Sequence, residues 1–211
     1  MEDYKAKFLK LAVAHGVLKF GEFKLKSGRI SPYFFNLGLI STGAALRELG
    51  AAYAQALAGS GVRFDMLFGP AYKGIPLVAA VAMALAESGR DVPYAYNRKE
   101  AKDHGEGGLL VGAQPQGRVV IVDDVLTAGT ALRESVKLLR DAGATPVAAV
   151  IALDRQELGP DGISAVAEME REHGLKVVSL VNVREMLEFL DREHLPADAI
   201  RKYQARYGVP A

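Results

Sequence analysis

From residue 65 onward, short all-apolar runs alternate with longer stretches in which apolar residues recur at helical spacing. The runs DMLF (65–68), VPYAY (92–96), VVIV (119–122), VAAVIAL (147–153) and KVVSLV (176–181) predict strands. Helices are predicted between and after them, from about Ile75 to Ala86 and over 130–141, 163–173, 183–192 and 196–206. Strands whose interiors are apolar on both faces point to a parallel sheet covered by helices on both sides. In such sheets ligands bind beyond the carboxyl ends of the strands.

The first 60 residues do not follow this alternation. Phe8, Leu9, Ala12 and Val13 sit at helical spacing within 3–15, and an Ala/Leu-rich helix is predicted from Thr42 to Ala58, closed by Gly59. Between them GEFKLKSGRISPYFFN (21–36) gives two short extended runs around a Ser27-Gly28 turn, with Pro32 opposing helix. The expectation is one domain over 1–211, with a small N-terminal hood of about 1–40 and a flexible loop of about 98–115.

Composition narrows the function classes. With 50% apolar and 24% charged residues, the chain is an ordinary globular one. A formal charge of +1 gives no basic field for nucleic acid or an anionic membrane surface. The chain has 0 cysteines, which excludes disulfides, thiolate catalysis and cysteine-ligated metal. The charged, helix-periodic opening MEDYKAKFLKLAVAHG is unlike a secretion signal, and there is no apolar run of about 18 residues. A cytoplasmic location is expected.

The richest chemistry lies in VVIVDDVLTAGTALRES, 119–135. Four β-branched residues end in Asp123 and Asp124, a small-residue turn follows, and Leu132, Val136 and Leu139 start a helix. Gly129 permits a left-handed or closely approached backbone, so the amides of 128–131 converge at a helix start. Unpaired N–H groups and the helix dipole both favour an anion there. Thr127 and Thr130 add hydroxyl donors. Acids beside a phosphate would repel it, so Asp123 and Asp124 suit sugar hydroxyls or a magnesium ion. A diol at one end and a phosphate at the other describe a ribose 5-phosphate. The alternative is that the acids merely cap the turn, with Thr130 as N-cap. A nucleotide-hydrolase reading of VVIVDD needs a GxxxxGK[ST] loop, which the chain lacks.

VVIVDDVLTAGTA resembles the signature of the type I phosphoribosyltransferases, and the whole chain resembles the bacterial orotate phosphoribosyltransferases. The resemblance implies the fold, a parallel sheet flanked by helices with a hood. It also implies a reaction, transfer of ribose 5-phosphate from 5-phosphoribosyl 1-diphosphate to orotate. By the same resemblance, Val125, Leu126, Thr127, Ala128, Gly129, Thr130 and Ala131 hold the phosphoribosyl end beside Asp123 and Asp124, and Tyr72 and Lys73 in GPAYKG (69–74) hold the diphosphate. In NRKEAKDHGEGG (97–108), cations followed by glycines compose a lid or a merely solvated loop. The resemblance assigns its Arg98, Lys99, Lys102 and His104 to substrate, with Lys102 the strongest catalytic candidate alongside Asp123, Asp124 and His104. Lys26, contacting both substrates, Phe34, Phe35, Thr127 and Arg155 are implied at orotate. Magnesium is implied as cofactor, held mainly by substrate and water with no direct protein ligand, and a homodimer with shared sites is implied as the assembly.

Two rivals remain open at this point. A purine-type phosphoribosyltransferase would share the phosphate loop but has no use for the 23–36 segment. A non-catalytic regulator sensing phosphoribosyl diphosphate would need a basic face or an added nucleic-acid-binding module, and the balanced charge and the lack of extra length argue against that expectation.

Overall fold

The computed structural model describes residues 1–25, 27–102, 108–126 and 129–210, without the side chains of Ala101 and Lys102. Six strands form the main sheet: β3 (Met66–Gly69), β4 (Tyr94–Lys102), β5 (Gly108–Gly112), β6 (Arg118–Val122), β7 (Thr145–Asp154) and β8 (Lys176–Asn182). Their order is β5-β4-β3-β6-β7-β8. Every pairing from β4 to β8 is parallel, while β5 runs antiparallel to β4. The expected parallel sheet is borne out, with one antiparallel strand added at its edge.

The strand residues divide by the two-residue period of a pleated strand. In β6, Val120 and Val122 join one core with Leu67, Val150 and Val181, against α2 (Gly43–Gly59), α3 (Gly74–Glu87) and α6 (Val183–Arg192). Val119 and Ile121 face the other way, with Phe68 and Ala149, against Leu132, Val136 and Leu139 of α4 (Thr130–Asp141) and Met169 of α5 (Ala165–His173). Both faces of β6 are thus dry, which is why its sequence is a continuous apolar run.

The hood is the two-stranded antiparallel hairpin β1 (Leu18–Lys24) and β2 (Ile30–Phe35), in a register that pairs Leu18 with Phe35 and Lys24 with Ile30. Alternation along β2 turns Ser31, Tyr33 and Phe35 inward and leaves Phe34 exposed, stacked on Phe23 at 5.5 Å. The first helix, α1 (Asp3–Ala14), packs against α2 and α6 rather than on the hairpin alone. The last, α7 (Asp198–Tyr207), lies against β2.

The predicted boundaries hold to within a few residues for most elements. The exception is the charged stretch after 96. It continues as strand to Lys102, and β5 returns beside it with Lys102 opposite Gly108. Ladder hydrogen bonds use the backbone, so exposed side chains such as Lys99 and Glu100 do not oppose a strand at a sheet edge. The expected loop of about 98–115 is largely a β-ribbon among the described residues. No helix among the described residues is long and apolar enough to cross a membrane.

Candidate active site

Strand order brings four loops together. β4, β3, β6 and β7 are consecutive neighbours in the sheet, so the segments leaving their carboxyl ends are adjacent. These are the charged ribbon, GPAYKG, the Asp123-Asp124 turn and the Arg155 segment.

The turn after β3 is built by two glycines that have no room for a side chain. A Cβ on Gly69 would lie 2.2 Å from the Gly74 carbonyl oxygen, and one on Gly74 would lie 2.5 Å from Pro70 Cδ. The Ala71 N–H donates to Asn97 Oδ1 at 2.9 Å, tying this turn to the base of the charged ribbon. Lys99 Nζ stands 4.9 Å from the Tyr72 ring centroid, a second tie. Three of the cations and aromatics expected at diphosphate, Tyr72, Lys73 and Lys99, thus share one end of the sheet. Arg98 NH1 donates to the Gly108 carbonyl across the ribbon at 3.4 Å.

Asp123 and Asp124 follow β6 directly. Each carboxylate folds onto the next amide: Asp124 N–H donates to Asp123 Oδ1 at 2.9 Å, and Val125 N–H to Asp124 Oδ1 at 2.7 Å. One oxygen of each acid is thereby spent on the turn, as the capping alternative requires. The second oxygen of Asp124 has a different partner. Its Oδ2 accepts from Lys73 Nζ at 2.5 Å, so the lysine of the β3 turn reaches the acid of the β6 turn. Asp124 is 8% exposed. From below, the buried Tyr53 of α2 donates its hydroxyl to the Asp123 carbonyl at 2.8 Å.

Burial, then the neighbouring Asp124 charge, push the Asp123 carboxyl up to about 7. An unfolded aspartic acid titrates near 3.9. Between about pH 4 and 7 the folded state therefore holds more protons than the unfolded one, and stability falls as pH rises through that window. We expect Asp123→Asn to melt higher than the parent at pH 8, by on the order of 2–4 kcal/mol, and equally at pH 3. Thermal melts of the ligand-free proteins at the two pH values measure it.

Gly129 takes φ 70° and ψ 0° as the N-cap of α4, with no side-chain cap hydrogen bond. The left-handed conformation is the one glycine adopts freely. Thr130 is the first helical residue rather than the cap, which removes the capping role considered for it. Among the described residues the helix start carries no capping side chain, and Thr130 and Ala131 are exposed. Thr127, Ala128, Lys26 and His104, together with the Lys102 side chain, lie outside the described residues.

At the end of β7, Arg155 sits beneath the hood. Its NH2 donates to Ser31 Oγ at 3.0 Å, and its guanidinium lies 4.1 Å from the Tyr33 ring centroid. Nε donates to Glu157 Oε1 at 2.8 Å. The Tyr33 hydroxyl is buried without a hydrogen-bond partner among the described residues. Phe34, on the same strand, faces outward. The arrangement joins a cation to an aromatic hairpin at the mouth of the sheet, a setting for a flat anionic heterocycle.

Sequence reading missed the residues that hold these groups: Tyr53 under Asp123, Asn97 under the β3 turn, and Ser31 beside Arg155. Asn97 opens the charged ribbon and was visible there; the other two carry no local signal.

Comparison with known proteins matches residues 40–165 to the phosphoribosyl transferase domain family. An orotate phosphoribosyltransferase of Thioalkalivibrio sulfidiphilus is 59% identical, over 99% of this chain and 100% of that protein. One from Cellvibrio japonicus is 56% identical, over 99% of each. The crystal structure of orotate phosphoribosyltransferase from Francisella tularensis superposes with a TM-score of 0.86 at 44% identity, covering 96% of this chain and 100% of that one.

Proposed function

The chain belongs to the orotate phosphoribosyltransferase family, and from that premise we propose how its residues divide the work. It transfers ribose 5-phosphate from 5-phosphoribosyl 1-diphosphate to orotate, giving orotidine 5′-monophosphate and diphosphate in pyrimidine biosynthesis.

The observation that carries the division is the contact between Lys73 and Asp124. On the donor substrate the diphosphate leaves C1 and the neighbouring hydroxyl is on C2, so their protein partners must be neighbours too. Asp124, with Asp123, accepts from the ribose diol. Lys73 and Tyr72 meet the diphosphate, and Lys73 exchanges Asp124 for it when substrate arrives. The 5-phosphate lies over the amides of 125–131 at the start of α4, where Gly129 lets the backbone approach. Orotate lies between the hood and β7, with Lys26, the Phe34-Phe35 backbone, Thr127 and Arg155 around it.

Displacement at the anomeric carbon builds positive charge on the ribose ring and negative charge on the departing oxygen. Asp123 and Asp124 stand by the first, and Lys73, Lys102 and His104 by the second. Arg98 and Lys99 complete the cationic wall. Closure of the cationic segment 97–108 over the diphosphate keeps water from capturing the activated sugar. Two adjacent carboxylates suit a magnesium ion carried mainly by substrate and water, because such an ion takes few protein ligands. When bound, magnesium neutralises the diphosphate leaving group. The enzyme works in the cytoplasm as a homodimer in which each ribbon serves the partner's site.

A panel of bases tests the reading. Orotate is expected to be the one consumed in the presence of 5-phosphoribosyl diphosphate and magnesium; adenine, guanine, hypoxanthine and uracil are not. Turnover of a purine at a comparable rate would overturn it.

A further inference from the structure

We propose that Glu157 is a positioning residue that aims Arg155 at the carboxylate-bearing edge of the base; the inference rests on the reading that Arg155 meets orotate. A guanidinium binds a carboxylate well only when its planar fork is held in the right orientation. An arginine on a loop has many rotamers, so something must select one.

Glu157 makes that selection along one edge. Its Oε1 accepts from Arg155 Nε at 2.8 Å and lies 2.7 Å from NH2. Ser31 Oγ takes a further NH2 hydrogen at 3.0 Å, and the Tyr33 ring closes one face at 4.1 Å. Among the described residues NH1 has no partner. One edge and one face of the group are therefore fixed by protein, and the NH1 terminus is the part left to a ligand.

Glu157 is itself anchored. Its Oε2 accepts from the Tyr203 hydroxyl at 3.2 Å and faces Arg29 NH1 at 3.8 Å. The segment carrying it is stitched to the end of α7 by Leu158 N–H to the Tyr207 carbonyl and Val209 N–H to the Gln156 carbonyl, both 2.8 Å. Gln204 Nε2 donates to the Arg155 carbonyl at 3.0 Å. With side-chain exposures of 12% for Arg155 and 16% for Glu157, solvent screens the pair little. Helix α7, remote in sequence from the substrate-binding motifs, thus supports Arg155 at its backbone through Gln204 and at its guanidinium through Glu157.

A purely structural ion pair would change stability and every kinetic constant together; a positioning residue acts on the base alone. The experiment is steady-state kinetics on the full-length protein for wild type, Glu157→Gln, Arg155→Ala and the double variant, with thermal melting of each. Glu157→Gln, which keeps the side-chain volume, is expected to raise the orotate KM about tenfold while the phosphoribosyl diphosphate KM stays within about twofold. In the Arg155→Ala background the same change should add little, since the arginine it aims is gone. Tyr203→Phe, which loosens Glu157 without removing it, should shift the orotate KM in the same direction by less. Equal costs of Glu157→Gln in both backgrounds, or equal rises in both KM values, would overturn the positioning role. An Arg155→Ala variant with the wild-type orotate KM would instead remove the base-site reading beneath it.

Discussion

Replacing Lys102 with alanine is expected to lower turnover about 10²-fold or more, equivalent to about 2.7 kcal/mol of barrier, and to change substrate binding modestly. Lys102 is the last residue of β4, opposite Gly108. The proposed function gives this lysine the departing diphosphate oxygen to meet. A charge that meets the departing oxygen only as the bond breaks stabilises the transition state more than the bound substrate, so its loss falls on kcat. The measurement is kcat and both KM values for the parent and Lys102→Ala. Unchanged turnover removes Lys102 from the catalytic group and leaves Lys73 and His104 to face the leaving group.

Asp124→Asn is the second large effect, and it separates substrate binding from folding. The side chain is buried and holds the Val125 amide with Oδ1 and Lys73 with Oδ2. Asparagine keeps the first contact through its carbonyl oxygen but loses the charge. Lys73 is 49% exposed, so once released it is solvated, and the stability cost stays near 1 kcal/mol. On the proposed reading the ribose diol loses hydrogen bonds to a carboxylate, each of about 1.5–3 kcal/mol. A fall of about 10–100-fold in kcat/KM for phosphoribosyl diphosphate is therefore expected, with melting temperature lowered by a few degrees. If melting collapsed while the kinetics of the folded fraction stayed intact, Asp124 would be a structural cap and not a ribose ligand.

The sequence carried the site's charged chemistry because that chemistry is costly where it stands. Two adjacent acids at the end of an apolar strand, and a lysine inside a tight glycine-flanked turn, conflict with local stability and so point to ligands. The supporting residues follow no such rule. Tyr53 precedes Asp123 by 70 residues and Ser31 precedes Arg155 by 124, and each looks locally like an ordinary helix or strand residue. Only the fold makes them neighbours.

The same contrast runs through the fold. VVIV and the helix after it were legible because burial on both faces leaves an unbroken apolar run, and because Leu132, Val136 and Leu139 keep helical spacing on one face. GLLVG was not legible as β5. It is short, half exposed and flanked by glycines, and its strand character comes from pairing with β4. That pairing also turned the expected parallel sheet into a mixed one at its edge.

The central claim is tested most directly by following the loss of orotate absorbance with the purified wild-type protein, omitting 5-phosphoribosyl diphosphate or magnesium in turn. Loss of absorbance that needs both, with diphosphate released in equal amount, is the predicted result. No loss from a folded protein that still binds 5-phosphoribosyl diphosphate would contradict the account, leaving the sugar site in place and the base assignment wrong.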